Sequence, residues 1–129
     1  MHSETHGAAL PSVMALSYMG DAAHALYVRK MLVARGISKS KELNEAALSY
    51  VTCEAQAKMF SRIENYLLPD EQDVFKRAYN SSHLNRPKRA SGKEYRLATG
   101  FEAVIGMLEW IKDTERLEFL LALAHEEDK

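Results

Sequence analysis

The chain has little with which to brace itself covalently or to interrupt its own helices. Among 129 residues there is one cysteine, Cys53, so no intramolecular disulfide can form, and this usage fits a reducing cytoplasm. Prolines number three and glycines six, and they fall mostly between periodic segments. No apolar run reaches the ~18 residues that a membrane helix needs. The opening stretch MHSETHGAALPS lacks the apolar region of a secretory signal. A strong charge of one sign is missing too. The formal net charge of -1 does not advertise a nucleic-acid partner, so the local distribution of charge has to decide. What is present is an ordinary globular composition, 47% hydrophobic and 27% charged, which excludes a disordered chain and suffices for one core.

The apolar pattern is helical throughout. After a tail over residues 1–10, a single domain over 11–129 is expected. Ser12 is the expected N-cap of a first helix to about Val33, stopped by Arg35-Gly36. Ser38 or Ser40 starts a second, to about Ser49, and Thr52 caps a third, to about Leu67. Asp70, after Pro69, caps a fourth to about Asn80. Residues 81–94, SSHLNRPKRASGKE, lack an apolar period and read as a long loop. A fifth helix runs from Tyr95 to about Lys112, and a sixth from about Thr114 to Ala124. With no strand pattern and no internal repeat, the fold class is all-α, a single-domain helical bundle.

The first and fifth helices are apolar on nearly every face, which predicts that both are central and buried. Gly20, Gly100 and Gly106 would let their backbones approach closely. Each helix carries one narrow polar stripe. Ser17, Asp21 and His24 are spaced i, i+4, i+7 on the first; Thr99 and Glu102 are spaced i, i+3 on the fifth. A lone buried carboxylate costs several kcal/mol unless it meets a cation, a hydrogen-bond network or a metal. Asp21 and Glu102 therefore read as two halves of one acidic cluster. Paired carboxylates with nearby hydroxyls suit Mg²⁺, which takes one or two carboxylates and keeps waters for a substrate phosphate to displace. The pattern alone leaves open a buried network with Arg29 or Arg96 instead.

A second feature is electrostatic. Between residues 76 and 96 the cations Lys76, Arg77, Arg86, Lys88, Arg89, Lys93 and Arg96 meet one acidic residue, Glu94. Mobile cations on a loop suit A-form RNA, which is recognised mostly through phosphates and 2′-hydroxyls; a solvated surface loop is the plainer reading. Gln56 and Lys58 are further candidates for RNA contact. His2 and His6 sit in the tail at a metal-compatible spacing that carries no further support. His24 reads as a satisfied core histidine or a substrate-orienting one, and Cys53 as an inert thiol. Met14, Met19 and Met107 are core filler, and Tyr95, Phe101 and Trp110 core or interface.

Four segments resemble the Mini-ribonuclease III family in order and spacing across residues 13–112. LSYMGDAAHALYVRKML is similar to its LAYIGDAVYELYVR signature, VTCEAQAKMF to VSAKAQA, KRAYNSSH to RGRNAKS, and YRLATGFEAVIG to YRxSTAFEALIG. The resemblance implies a bundle of the ribonuclease III endonuclease-domain type, dimeric and without a separate double-stranded-RNA-binding domain. It further implies Mg²⁺-dependent cleavage of double-stranded RNA to 5′-phosphate and 3′-hydroxyl ends, in maturation of large-subunit (23S) ribosomal RNA. Asp21 then carries the aspartate of the GDA motif and Glu102 the glutamate of FEA, as catalytic residues and Mg²⁺ ligands. Two further acidic positions of full-length ribonucleases III fall on Ser17 and Thr99, which would hydrogen-bond the waters of the metal and leave it fewer charges. Lys76, Arg77, Asn80, Arg86, Lys88, Arg89, Lys93 and Arg96, with Gln56 and Lys58, are the expected RNA contacts.

The chain departs from the family pattern at several places. His24 and Ala25 replace the tyrosine and glutamate after GDAV, Tyr79 an arginine, Ser82 a lysine, and Gly100 the alanine before FEA. ERLEFL at 115–120 imitates the start of the larger enzymes' ERLEFLGD signature, but it continues LALA and reads as a terminal amphipathic helix. The expectation is a cytoplasmic, homodimeric, Mg²⁺-dependent endoribonuclease acting on pre-ribosomal RNA, with no membrane partner. The alternative, motivated by residues 25, 79 and 82, is a non-catalytic RNA-binding or ribosome-associated protein that keeps the fold.

Overall fold

The structure, a computed structural model, describes residues 10–81 and 92–126. Within them six α-helices form: α1 Val13–Ala34, α2 Ser40–Val51, α3 Cys53–Ile63, α4 Pro69–Ser81, α5 Gly92–Trp110 and α6 Thr114–Ala124. A single 3₁₀ turn, Glu64–Tyr66, extends α3. The expected all-α bundle is the observed one.

Local chemistry sets most boundaries. The Ser12 hydroxyl accepts from the Ala15 N–H at 3.1 Å and starts α1, and Gly36 ends it with φ of 93°. Thr52 starts α3 in the same way, accepting from Ala55 N–H at 3.2 Å. Two expected caps fall elsewhere. Lys39, not a serine, precedes α2 and lends no side-chain bond, since Ser40 is already helical. Pro69 is the first residue of α4, so Asp70 lies inside its first turn; the Glu71 carboxylate accepts the Leu68 N–H at 2.8 Å instead. Asp113 caps α6 by accepting from Arg116 N–H at 3.2 Å. The fifth helix also begins earlier than expected, at Gly92.

Helix α5 is the axis of the molecule: every residue from Ala98 to Leu108 except Glu102 is buried. Helices α1, α3 and α4 pack around it. The core joins Leu16, Phe60, Ile63, Val74, Phe101, Ile105 and Leu120. A buried ion pair ties α6 to α4, with Arg116 donating to both Glu71 carboxylate oxygens at 2.9 and 2.8 Å. The other helix expected to be central, α1, is only half buried. Met14, Tyr18, Leu26 and Val33 remain exposed, Tyr18 by 82%. An all-round apolar pattern marks burial but not what does the burying, and in a single chain this face meets water.

The α1–α5 crossing is fixed by glycine. A Cβ on Gly20 would collide with the backbone carbonyl of Glu102, and one on Gly106 with the carbonyl of Leu16. Two backbones in contact place residue 21 of one helix beside residue 102 of the other. Gly100 is small for a different reason: a Cβ there would enter the Phe75 ring, which stacks on Phe60 at 4.1 Å between centroids. The glycine that replaces the expected alanine therefore accommodates an aromatic stack.

Candidate active site

The two expected carboxylates do meet. Asp21 acts on the Glu102 carboxyl both as a neighbouring charge and as a hydrogen-bond partner. They are unequal, however. Asp21 is exposed at the rim of the crossing, which corrects the expectation of two buried charges. Its place on α1 turns it toward solvent next to the uncovered apolar face. Glu102 lies inside, and its carboxyl is pushed up to about 8, first by burial and then by the charge of Asp21. Hydrogen bonds from Gln56 and Ser17 work in the opposite direction but do not offset this.

The bonds around Glu102 are specific. Ser17 Oγ donates to Oε1 at 3.4 Å, and the Gln56 amide donates to Oε2 at 3.2 Å. Ser17 is thus in the expected place. Thr99 is buried one turn before Glu102, but its hydroxyl donates to the Tyr95 carbonyl at 2.9 Å, within its own helix. The alternative network with an arginine is not formed: Arg29 is exposed, and the Arg96 guanidinium lies 5.8 Å from the centre of the Tyr79 ring. Cys53 feels the same field, since burial, then Glu102, then Glu94 push its thiol up; it stays protonated and is no nucleophile.

Two residues have roles that sequence reasoning misassigned or missed. Gln56, expected at the RNA surface, is 2% exposed and correctly belongs to the carboxylate site. It lies on the face of α3 that also buries Met59, Phe60 and Ile63, and that register was a signal. Its amide also reaches His24 Nδ1 at 3.1 Å. His24 is fully buried, with its Nε2 2.9 Å from Nε2 of His125, just past the end of α6. Burial, then the neighbouring His125, lower the His24 pKa to about 3, so it is neutral near pH 7. His24 is the satisfied core histidine of the two readings. Nothing in the sequence marked His125, seemingly part of a polar tail.

The expected RNA contacts that the structure describes lie on three helices, α3, α4 and α5. Lys58, Lys76, Asn80 and Lys93 are exposed, and Arg77 pairs loosely with Asp73 at 3.1 Å on the surface of α4. Arg96 over Tyr79 puts a cation next to the position where the family pattern has arginine. Arg86, Lys88, Arg89 and Ser82 lie outside the described residues, as do His2 and His6.

Could the pair hold a metal? Among the described residues no group of three or more acidic, histidine or cysteine ligands gathers, so two carboxylates are the whole anionic set. Their chemistry fits a hard divalent cation. Both are oxygen donors, and one is open to solvent.

Comparison with known proteins agrees with this architecture. Residues 14–109 match the ribonuclease III domain. The chain is 36% identical to a Mini-ribonuclease 3 of Streptococcus pneumoniae, covering 84% of this chain and 87% of that one. It is 38% identical to a Mini-ribonuclease 3 of Symbiobacterium thermophilum, covering 86% and 85%. A crystal structure of a Fusobacterium nucleatum protein superposes with a TM-score of 0.82 at 26% identity, over 92% of this chain and 94% of that one. The glycine-mediated helix crossing thus lies within a ribonuclease III domain, and the chain belongs to the Mini-ribonuclease III family of endoribonucleases.

Proposed function

We propose that this endoribonuclease cleaves double-stranded RNA with Mg²⁺ held between Asp21 and Glu102. The observation that carries the reading is the meeting of two carboxylates at the glycine-mediated crossing, Glu102 held by Ser17 and Gln56 beside a solvent-exposed Asp21. The cation, when bound, supplies a Lewis acid that activates water and neutralises charge developing on the phosphate. Asp21 at the rim can reach a ligand shared with substrate, while Ser17 and Gln56 hold Glu102 in place. The cations Lys58, Lys76, Arg77, Lys93 and Arg96, with Asn80 and with Arg86, Lys88 and Arg89 of the basic segment in the sequence, supply the phosphate contacts. The role is maturation of 23S ribosomal RNA ends in the cytoplasm, the assignment that the family resemblance supports.

The working form is a homodimer. Helix α1 exposes an apolar row at helical spacing, Met14, Tyr18, Ala22 and Leu26, running on to Val33. Beside it lies a shallow depression of about 520 Å³ lined by Tyr18, Met19, Asp21, Ala22, Ala23, Leu26 and Glu109. A two-fold contact on this face would cover the row and bring two carboxylate pairs onto one duplex, one for each strand. No helix among the described residues is long and apolar enough to cross a membrane.

A labelled duplex with increasing Mg²⁺ tests the reading. The parent should cut it, and Asp21→Asn and Glu102→Gln should bind it but cut orders of magnitude more slowly. A parent that binds the duplex and leaves it intact at every Mg²⁺ concentration would be a non-catalytic RNA-binding protein instead.

A further inference from the structure

We infer that His125 is a positioning residue for Glu102, acting through His24 and Gln56 along one directed chain of hydrogen bonds. The inference rests on the proposed metal site and adds a residue some way outside it.

The direction of the chain follows from counting hydrogens. A Gln amide nitrogen carries two N–H groups and no acceptor. In Gln56 one points at Glu102 Oε2 at 3.2 Å and the other at His24 Nδ1 at 3.1 Å. His24 Nδ1 must therefore be bare, and the proton of the neutral ring sits on Nε2. That proton faces His125 Nε2 at 2.9 Å, which must accept and so be bare in turn. His125 then carries its own proton on Nδ1. Reversing the amide would set its oxygen against a Glu102 oxygen, so an ionised Glu102 fixes the amide orientation, and each ring then has one allowed tautomer.

Packing holds the chain in place. The His125 ring lies 5.0 Å from Tyr27 and 5.8 Å from Tyr50, and His24 meets Phe101 edge-on at 5.2 Å. Gln56, His24 and His125 are all buried, so water competes poorly for these bonds. Three helices and the residue after α6 meet here: α1 gives His24, α3 gives Gln56 and α5 gives Glu102. Without the acceptor on His125, the His24 Nε2–H loses its partner, the other tautomer becomes competitive, and Gln56 can turn its oxygen toward His24. The carboxylate then loses one of its two oriented donors. Partners of metal-ligating side chains characteristically matter about 10–100-fold in metal affinity, and a residue two bonds further out should fall at the low end.

The test uses two variants. His125→Phe keeps a ring against Tyr27 and Tyr50 but accepts nothing; His125→Gln returns an acceptor near the position of Nε2. Calorimetric Mg²⁺ titration should show about tenfold weaker binding for His125→Phe and recovery of most of it in His125→Gln. In parallel, nitrogen NMR of the metal-free parent at pH 9, where Glu102 is ionised, should find His24 as the Nε2–H tautomer and His125 as the Nδ1–H tautomer. Parent-like Mg²⁺ affinity in a folded His125→Phe protein, or His24 found protonated on Nδ1, overturns the relay. If His125→Phe does not fold, the parent tautomers and the His125→Gln titration decide alone. A parent that binds no Mg²⁺ refutes the metal site rather than the relay, which the tautomers still judge.

Discussion

Replacing Glu102 by Gln should stabilise the metal-free protein, and by an amount that grows with pH. The carboxyl ordinarily titrates at 4.5 and in the fold is pushed up to about 8. A raised folded value means that the folded state holds the proton more tightly than the unfolded chain. This contribution is fully present below 4.5, declines as pH rises, and is gone above about 8. At about 1.4 kcal/mol per pH unit the loss is capped at roughly 5 kcal/mol. Gln keeps the shape without the charge: its oxygen can accept from Gln56, and its NH₂ can donate to the Ser17 hydroxyl, which then accepts instead of donating. In chelator at pH 5 the two proteins should melt close together. At pH 8.5 the variant should melt later, by a few kcal/mol, or on the order of 10 °C for a domain of this length. His24 changes stability in the opposite sense, losing its contribution as pH falls from 6.5 toward about 3, but it is common to both proteins and cancels. Saturating Mg²⁺ at pH 8.5 should raise the parent's melting point and leave that of the variant. A melting difference that is the same at pH 5 and pH 8.5 would refute the reasoning, because no charge would then be held at a cost. A variant that melts much earlier at both would make the carboxylate a structural partner.

Gly20→Ala or Gly106→Ala should cost more than ordinary overpacking, upward of ~3 kcal/mol in chemical denaturation, because the obstacle is backbone rather than a side chain that can turn; a neutral result would mean that the α1–α5 crossing is not fixed by contact. Arg116→Met should cost about 3–5 kcal/mol by leaving Glu71, 1% exposed, without its cation, with rescue on adding Glu71→Leu; melting of the single and double variants checks both. Sedimentation equilibrium should give about twice 14.6 kDa for the parent and a single-chain mass for Leu26→Asp; a single-chain parent would refute the dimer. Replacing Arg86, Lys88 and Arg89 by Ala should weaken duplex binding and flatten its dependence on log salt by up to about one per lost phosphate contact; an unchanged slope would make that segment a solvated one.

Most of the fold was legible because local chemistry sets it. Ser12, Thr52, Gly36 and Pro69 mark helix ends by their own backbone preferences and need no tertiary partner to be recognised. The meeting of Asp21 and Glu102 was legible for a different reason: polar residues at helical spacing among glycines on two apolar helices have few other places to go. What was not legible, the burial of His125 against His24 included, depends on what lies opposite. Ser40 is as good a cap as Ser12 in sequence, yet the chain turns one residue earlier and Lys39 takes that place. Asp21 shares a stripe with buried Ser17 and His24, yet it is exposed, since the helical turn sets it on the side of the stripe nearer the exposed Met14 and Tyr18. Gln56 reads as a polar surface residue until its register with Met59, Phe60 and Ile63 is noticed.

The departures at residues 24 and 100 show how such a site is retained when its surroundings change. Gly100 makes room for the Phe75 ring, and His24 finds Gln56 on one side and His125 on the other. Each unusual residue is matched by a neighbour far away in sequence, and neither change touches the carboxylates themselves. His24 is the more exacting case. A buried imidazole needs a donor for one nitrogen and an acceptor for the other, and its two ring nitrogens face Gln56 and His125. Remove His125 alone and His24 is left with an unmet N–H in a dry site, at a cost of about 1–3 kcal/mol. Replace both histidines together by apolar residues of similar shape and that cost disappears, although Gln56 would lose the bond that sets its orientation. Stability and metal affinity should therefore separate in the double replacement: the fold recovers, and the hold on Glu102 does not.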